Sequence, residues 1–400
     1  MIQVQTPQGW KQKPLKKVAE IERQGIQPDQ ISSDAHYVGL EHVDGEGNLI
    51  GVQNALSAEL KSTKFSFSDQ HILFGKLRPY LRKISRPEFS GICSTDILPI
   101  RPKNGLDRDY LFHYLRQQRL VDFATARCTG INLPRLSPKA LAEFPVIYPD
   151  SLPEQKRIAA ILDKADAIRR KRRQALSLAD QFLRAVFLDM FGDPVTNPRG
   201  WPSLALGELL QSIESGWSPS CHEWKADEDS WGVLKLGSIT QGAYCDSENK
   251  ALPEGLTTKE NLEIRQGDVL FNRKNTYALV GSCVYVHETR TKLMMSDLIF
   301  RLTPKPGSKL SKIYLWACLS HPGMRGKVQE LASGAAGSMP NVSKARLMTL
   351  KIPRPDQLIQ DRFGEIFART INLGKNNDIL VTESADLFGS LIQHAFQGGL

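Results

Sequence analysis

The chain has 400 residues, 41% hydrophobic and 24% charged, with 52 Lys and Arg against 43 Asp and Glu. That composition excludes a disordered polymer, and the length exceeds one ordinary core, so two globular domains with something between them are expected. The formal charge of +9 favours a polyanionic partner such as nucleic acid; no run of about 18 uncharged apolar residues exists to span a membrane.

The opening MIQVQTPQGWKQKPLKK has no apolar segment of a signal peptide. Six scattered cysteines, without short paired spacings, read as reduced thiols of a cytoplasmic protein. Residues 1–150 form a first globule. Short apolar runs such as HILFG and GICSTDILPIRP, bounded by Gly, Pro or Asp, read as strands, and YLFHYLRQQRLVDFAT carries helical spacing. A long helix over 151–192 follows. Ser151 and Glu154 form an S-x-x-E capping box with Pro153 in the first turn, and Gly192, Asp193 and Pro194 stop the helix.

The second globule, 193–355, repeats the first in unbroken order. GWKQKPLKKVAEI returns as GWPSLALGELLQSI, and LFGKLRPYL as VLFNRKNTYALVG. CSTDILPIRPK returns as MSDLIFRLTPKPG, which sets Asp96 opposite Asp297, and TGINLPRLSPKAL returns as AGSMPNVSKARL. A second long helix occupies 356–400; about 38 residues would make it about 57 Å long.

Both helices carry spacings that alternate three and four. Ile161, Ala165, Ile168, Arg172, Ala175, Ala179, Phe182 and Val186 form one seam. Phe363, Ile366, Thr370, Leu373, Asn377, Leu380, Ser384, Leu387 and Leu391 form the other. The first helix is net basic and the second net acidic, so they complement each other as an antiparallel pair within the chain. The alternative is two separate amphipathic helices, each docked on its own domain.

Catalytic patterns are missing. Pro149-Asp150 followed by Glu154-Gln155-Lys156 imitates a nuclease metal site, but the helix cap already explains Glu154, and the second copy has no E-x-K. No phosphate-binding loop or glycine-rich cofactor loop is present, and Cys318 with His321 lacks further zinc ligands.

The stretch FPVIYPDSLPEQKRIAAILDKADAIRRKRRQALSLADQFLRAVFLDMFGDP resembles the central conserved region of type I restriction enzyme specificity subunits. IPRPDQLIQDRFGEIFARTINLGKNNDILVTESADLFGSLIQHAFQGG resembles their distal conserved region. The resemblance covers essentially the whole chain. It implies an α+β protein with two similar mixed α/β target-recognition domains, separated by two long helices forming an antiparallel intramolecular coiled coil with a pseudo-twofold. It further implies a non-catalytic subunit whose globules each read half of a bipartite site on double-stranded DNA. Two modification subunits would dock on the helices and carry S-adenosylmethionine. Restriction subunits, the translocase–nucleases, would bring ATP and magnesium. A self-contained nuclease or methyltransferase and a coiled-coil DNA-binding regulator are the rival readings.

For DNA contact, the first globule offers Lys76, Arg78, Arg82, Lys83 and Arg86, and the loop Arg127, Thr129, Asn132 and Arg135. The second offers Asn272, Arg273, Lys274, Asn275 and Tyr277, then Arg290 and Lys292, and the loop Ser338 and Asn341. Arginine suits guanine and asparagine suits adenine, while lysine suits phosphate. Tyr80 and Tyr277 fit a core or rim place better than a stacking platform. Asp96 and Asp297 fit a bracing role better than acceptance from cytosine.

Overall fold

The computed structural model describes residues 6–58, 60–130, 132–240, 242–333 and 339–399, apart from the side chains at 176 and 373–386. The chain forms two compact units, 1–173 with 379–400, and 174–378. The units cut across both long helices, which run Leu152–Phe191 and Gln357–Ala395. Each unit therefore holds one globule, the start of one long helix and the end of the other.

In the first unit a four-stranded antiparallel sheet runs in the order Ala19–Ile21, Ile97–Pro102, Ile72–Gly75, Ile84–Ser85. The strand Ile72–Gly75 is buried throughout. Ile72 and Phe74 enter a core shared with the helices Arg108–Leu115 and Gln118–Thr125, while Leu73 enters a second core with Val38, Cys93 and Ile97. Alternate side chains thus serve opposite faces, which is why the sequence shows a continuous apolar run. Beyond the second core lies a five-stranded sheet of Gly25–Ile26, Lys64–Phe67, Gly91–Cys93, His36–Val38 and Gln53–Asn54. Trp10–Pro14 pairs with Pro145–Pro149 and closes the globule.

The second unit repeats this plan with the order Leu210–Ser215, Ile299–Pro304, Val269–Asn272, Cys283–Tyr285. Val269 and Phe271 face the helices Lys312–Ser320 and Pro322–Glu330, and Leu270 faces the other core. Ser203–Ala205 pairs with Lys351–Pro353 as the closing ribbon. The copies differ in the outer sheet, which here has three strands, Asn249–Ala251, Gly232–Leu234 and Leu293–Met294.

The register of the repeat corrects one sequence match. Ile97 pairs with Gly75 and Ile299 with Asn272, so Asp96 stands opposite Leu298, one place from Asp297. Both aspartates are nonetheless braced. Asp96 lies 3.5 Å from Lys76 and 3.7 Å from Arg135, and Asp297 accepts the Ser218 hydroxyl.

At the start of the first long helix, Ser151 Oγ accepts from the Glu154 amide at 3.4 Å, but the Glu154 carboxylate turns to Arg157 at 2.7 Å. The expected capping box is therefore half formed, because an arginine three residues on shares its face of the helix. A fully buried glutamine does more. Gln155 donates to the carbonyls of Gly105 and Pro149, at 3.0 and 2.8 Å, and accepts from the Asp107 amide at 2.8 Å. Gln360 repeats the pattern with Lys309, Pro355 and Ser311. Each glutamine ties its helix to its own globule, and both escaped the sequence reading because a one-residue deletion displaces the match.

The predicted seam of the first helix is displaced by one residue. Ile158, Ala159, Leu162, Asp166 and Arg169 are buried, as are Leu183, Phe187 and Phe191. Ile161, Ala165, Ala175 and Ala179 are half-buried, and Ile168 and Phe182 are exposed. Apolar spacing pointed to the wrong stripe because the buried one carries charges. Asp166 and Arg169 pair with each other at 2.7 Å, and Arg169 also reaches Glu46 of the globule. In the second helix Phe363 and Thr370 are buried and Ile366 half-buried, with Gln360 and Phe367 completing the stripe. Leu391 packs on the first core, whereas Leu387 is exposed. Leu373 and Leu380 lie outside the described side chains.

The far ends of the helices are also anchored. In the first unit, the Phe396 ring lies 5.3 Å from both Tyr110 and Tyr114, and the Arg169 guanidinium lies 5.1 Å over Phe388. In the second, Phe191 lies 4.8 Å from Tyr314 and 5.4 Å from Phe363. Burying one such ring contributes about 1.5–3 kcal/mol. Neither helix docks on its own globule alone.

Candidate nucleic-acid interface

In each unit a turn and a loop distant in sequence are stitched side by side. In the first, the Leu136 amide donates to Lys76, the Arg78 amide to Pro134, and Leu77 bridges Arg135. In the second, the Val342 amide donates to Arg273, the Asn275 amide to Pro340, and Lys274 bridges Asn341. Lys76 thus corresponds to Arg273 and Arg135 to Asn341. The serines just beyond, Ser137 and Ser343, each cap a short helix.

The first turn is unusual in its backbone. Arg78 and Arg82 flank the single turn Pro79–Leu81, both with φ near +50°. Non-glycine residues adopt this conformation at a cost and mostly where the surroundings impose it. Arg78, Arg127, Thr129, Asn132 and Arg135 are exposed, as is Tyr80. Arg127 lies over Phe123, with its guanidinium 3.3 Å from the ring centroid. Nearby, burial pushes Arg116 down to about 10 despite Asp166, and Arg82 and Arg170 add to the effect.

Several predicted contacts face inward. Lys83 donates to the Leu40 carbonyl at 2.6 Å. Arg86 pairs with Asp109 at 2.9 Å and with Asp163 of the long helix, so it braces helix to globule. Burial opposes the charge of Asp163, but hydrogen bonds from His113 and Arg86 hold its carboxyl down at about 2. Lys76, half-buried, is engaged by Asp96.

In the second unit Asn272 is fully buried and donates to the Leu279 carbonyl. Asn275 is 7% exposed and its side chain caps Thr276 within the turn. Arg290 donates to the carbonyls of Glu228 and Ser230, and Lys292 to that of Asp229, so both hold a loop of their own globule. Residue type alone cannot separate an arginine that binds phosphate from one that satisfies nearby carbonyls. Arg273 donates to Asn341 Oδ1 at 3.2 Å, and Tyr277 is 63% exposed at the tip. Lys274 is half-buried, and Ser338 lies outside the described residues. Exposed Lys344 and Arg346, not singled out in the sequence, flank the loop.

The carboxylates of the nuclease imitation have separate basic partners. Asp150 pairs with Lys11, and Glu154 with Arg157. Among the described residues no group of three or more His, Cys, Asp and Glu could hold a metal ion, and no helix is long and apolar enough to cross a membrane.

The chain matches the type I restriction modification DNA specificity domain twice, over residues 7–178 and 198–381. It is 34% identical over 168 residues to the EcoEI specificity subunit of Escherichia coli, covering 42% of this chain and 28% of that one. To the EcoDI specificity subunit of Escherichia coli it is 28% identical over 223 residues, 52% of this chain and 49% of that one. It thus spans at most about half the length of these curated relatives. In fold it is similar to the crystal structure of the type I restriction–modification S subunit from M. genitalium, with TM-score 0.63 at 12% identity, covering 99% and 98% of the two chains. A chain from work on complex assembly and conformational transition of the type I restriction–modification system gives 0.54 at 20% identity, covering 99% and 100%. Two family matches that together span most of the chain place it in one family: the protein belongs to the type I restriction modification DNA specificity family.

Proposed function

We propose that the chain is the DNA sequence-reading subunit of a type I restriction–modification complex and is not catalytic alone. Each globule would read one half of a bipartite asymmetric site. The single observation that carries this is the repeated turn-and-loop pair, which presents a different side chain at the same position in each copy, Arg135 in one and Asn341 in the other. Arginine matches the acceptor edge of guanine and asparagine the mixed edge of adenine, so one scaffold used twice suits two unlike half-sites. Exposed arginines around the turn supply the phosphate contacts that position a reader without specifying sequence.

The two long helices would pair antiparallel as a coiled coil about a pseudo-twofold and fix the gap between half-sites. Support comes from each unit, where the start of one helix lies beside the end of the other. Two modification subunits would dock on the helices, where Leu178, Phe182 and Leu188 are 53%, 51% and 42% exposed. Restriction subunits would complete the complex in the cytoplasm. S-adenosylmethionine, ATP and magnesium would belong to those partners.

The test is a map of N6-methyladenine in the host genome with and without the gene for this chain. A bipartite motif that disappears on deletion is expected. A methylation pattern unchanged by deletion would refute the proposal.

A further inference from the structure

The outer part of the second globule contains an open cleft of 370 Å³ lined by Ser218, Ser220, Cys221, Lys235, Lys250 and Ser296, among others. That volume lies at the small end of ligand sites, roughly 300–1,000 Å³. Ser296 is 7% exposed, and its hydroxyl has no hydrogen-bond partner among the described residues. A buried hydroxyl left in that state costs free energy, which a bound polar group would recover.

The first globule differs from the second at the corresponding place. Ile97 donates its amide to Ser94, and Ile299 donates its amide to Ser296, so the two serines correspond. The neighbouring strands correspond as well. Tyr37 pairs with Ile92, and Val233 pairs with Met294. At this place the first copy carries Tyr37, a larger side chain that is half-buried. In the second copy the tyrosine is replaced by the smaller Val233, which lines the cleft.

The rim indicates the kind of group that enters. Lys235 pairs with Glu248 at 3.2 Å and Lys250 with Glu223 at 3.0 Å, so both ammonium groups are already balanced. The remaining groups are hydroxyls and a thiol, which suit a neutral edge of donors and acceptors better than a phosphate. The cleft also adjoins the turn described above. Leu298, two residues beyond Ser296, accepts the Arg273 amide, and Ser215 donates to the Asp297 carbonyl at 3.2 Å. Trp224, whose ring stacks on His222 at 4.2 Å, follows the lining residue Glu223 and is 64% exposed.

We propose that this cleft is a specificity pocket that takes the polar edge of one DNA base, with Ser296 as the deep hydrogen-bonding group. The first globule carries the bulkier Tyr37 at the position of Val233. The inference rests on the DNA-reading function proposed above.

The test is selection of a random-sequence duplex library on the full chain, comparing wild type with Val233→Tyr and Ser296→Ala, each checked for its melting transition. Wild type is expected to select a bipartite motif. Val233→Tyr, which puts the bulk of the first globule's tyrosine on the cleft wall, should lower discrimination about tenfold at one position of one half-site and leave the other half-site intact. Ser296→Ala, which adds no bulk, should weaken the same position and decides the matter if Val233→Tyr fails to fold. A folded Val233→Tyr or Ser296→Ala that selects the wild-type motif at wild-type strength overturns the pocket and leaves the reading function standing. A wild-type chain that selects no motif at all overturns the reading function and the pocket with it.

Discussion

Arg78 and Arg86 belong to one basic run and have opposite surroundings. Arg78 is exposed on a left-handed turn, while Arg86 lies 4.7 Å over Phe112 and pairs with Asp109 and Asp163. Replacing Arg78 by alanine should weaken DNA binding across all sequences and reduce the slope of log affinity against log salt by about 0.9, the value for one phosphate contact. Arg86→Ala should instead lower stability and leave the salt slope unchanged. Equal slopes for all three proteins would show that the turn does not face DNA. A second residue-scale expectation concerns the helix anchors. Gln155→Leu strands the Asp107 amide and two carbonyls, and should cost about 1–3 kcal/mol in denaturant unfolding; an unchanged midpoint would mean that water reaches these groups. Sequence supplied the basic residues but not their partners. The acids that capture Arg86 lie on two other helices, and the carbonyls that capture Lys83, Arg290 and Lys292 carry no sequence signal.

At the scale of elements, both long helices were legible because length, caps and spacing of three and four agree. Their buried faces were less so. Asp166 and Arg169 occupy the first helix's buried stripe through their partners, and no apolar pattern reports that. A second polar contact on the same helix gives a pH prediction. His113 is 2% exposed, and burial lowers its pKa despite Asp163. The unfolded chain takes up that proton near pH 6.5 and the folded chain only lower. Unfolding therefore gains protons as pH falls below about 6.5, and stability drops. Asp163, held at about 2, contributes stability above its unfolded value near 4 and loses it as pH falls towards 2. Calorimetry should show stability falling in two steps on acidification. His113→Gln should remove the step that begins near 6.5, and Asp163→Asn the one below 4. Persistence of the upper step in His113→Gln would assign it to another group.

At the scale of the whole molecule, duplication was legible because the order of matched segments survives where identity does not. The unlike outer sheets, five strands against three, were not, since short paired strands leave little periodicity to read. The compact units were hidden for a different reason: the first is completed by a segment remote in sequence, 379–400. The fragment 1–192 retains the first globule and the whole first long helix but lacks 379–400, so Tyr110 and Tyr114 lose Phe396. Loss of one buried phenylalanine typically costs about 3–5 kcal/mol, a large share of a domain's margin of about 5–15 kcal/mol. The fragment nevertheless carries a substitute. Phe191 meets Tyr314 in the second unit much as Phe396 meets Tyr110 in the first, with ring separations of 4.8 and 5.3 Å. Two fragments can therefore exchange helix ends, each covering the other's exposed tyrosines in a self-complementary twofold contact. The fragment should sediment as a dimer with a melting temperature that rises with concentration. Phe191→Ala should weaken the dimer and lower the melting temperature. A fragment that is monomeric at all concentrations, and melts no lower with Phe191→Ala, would show that the helix end contributes little to the globule it covers.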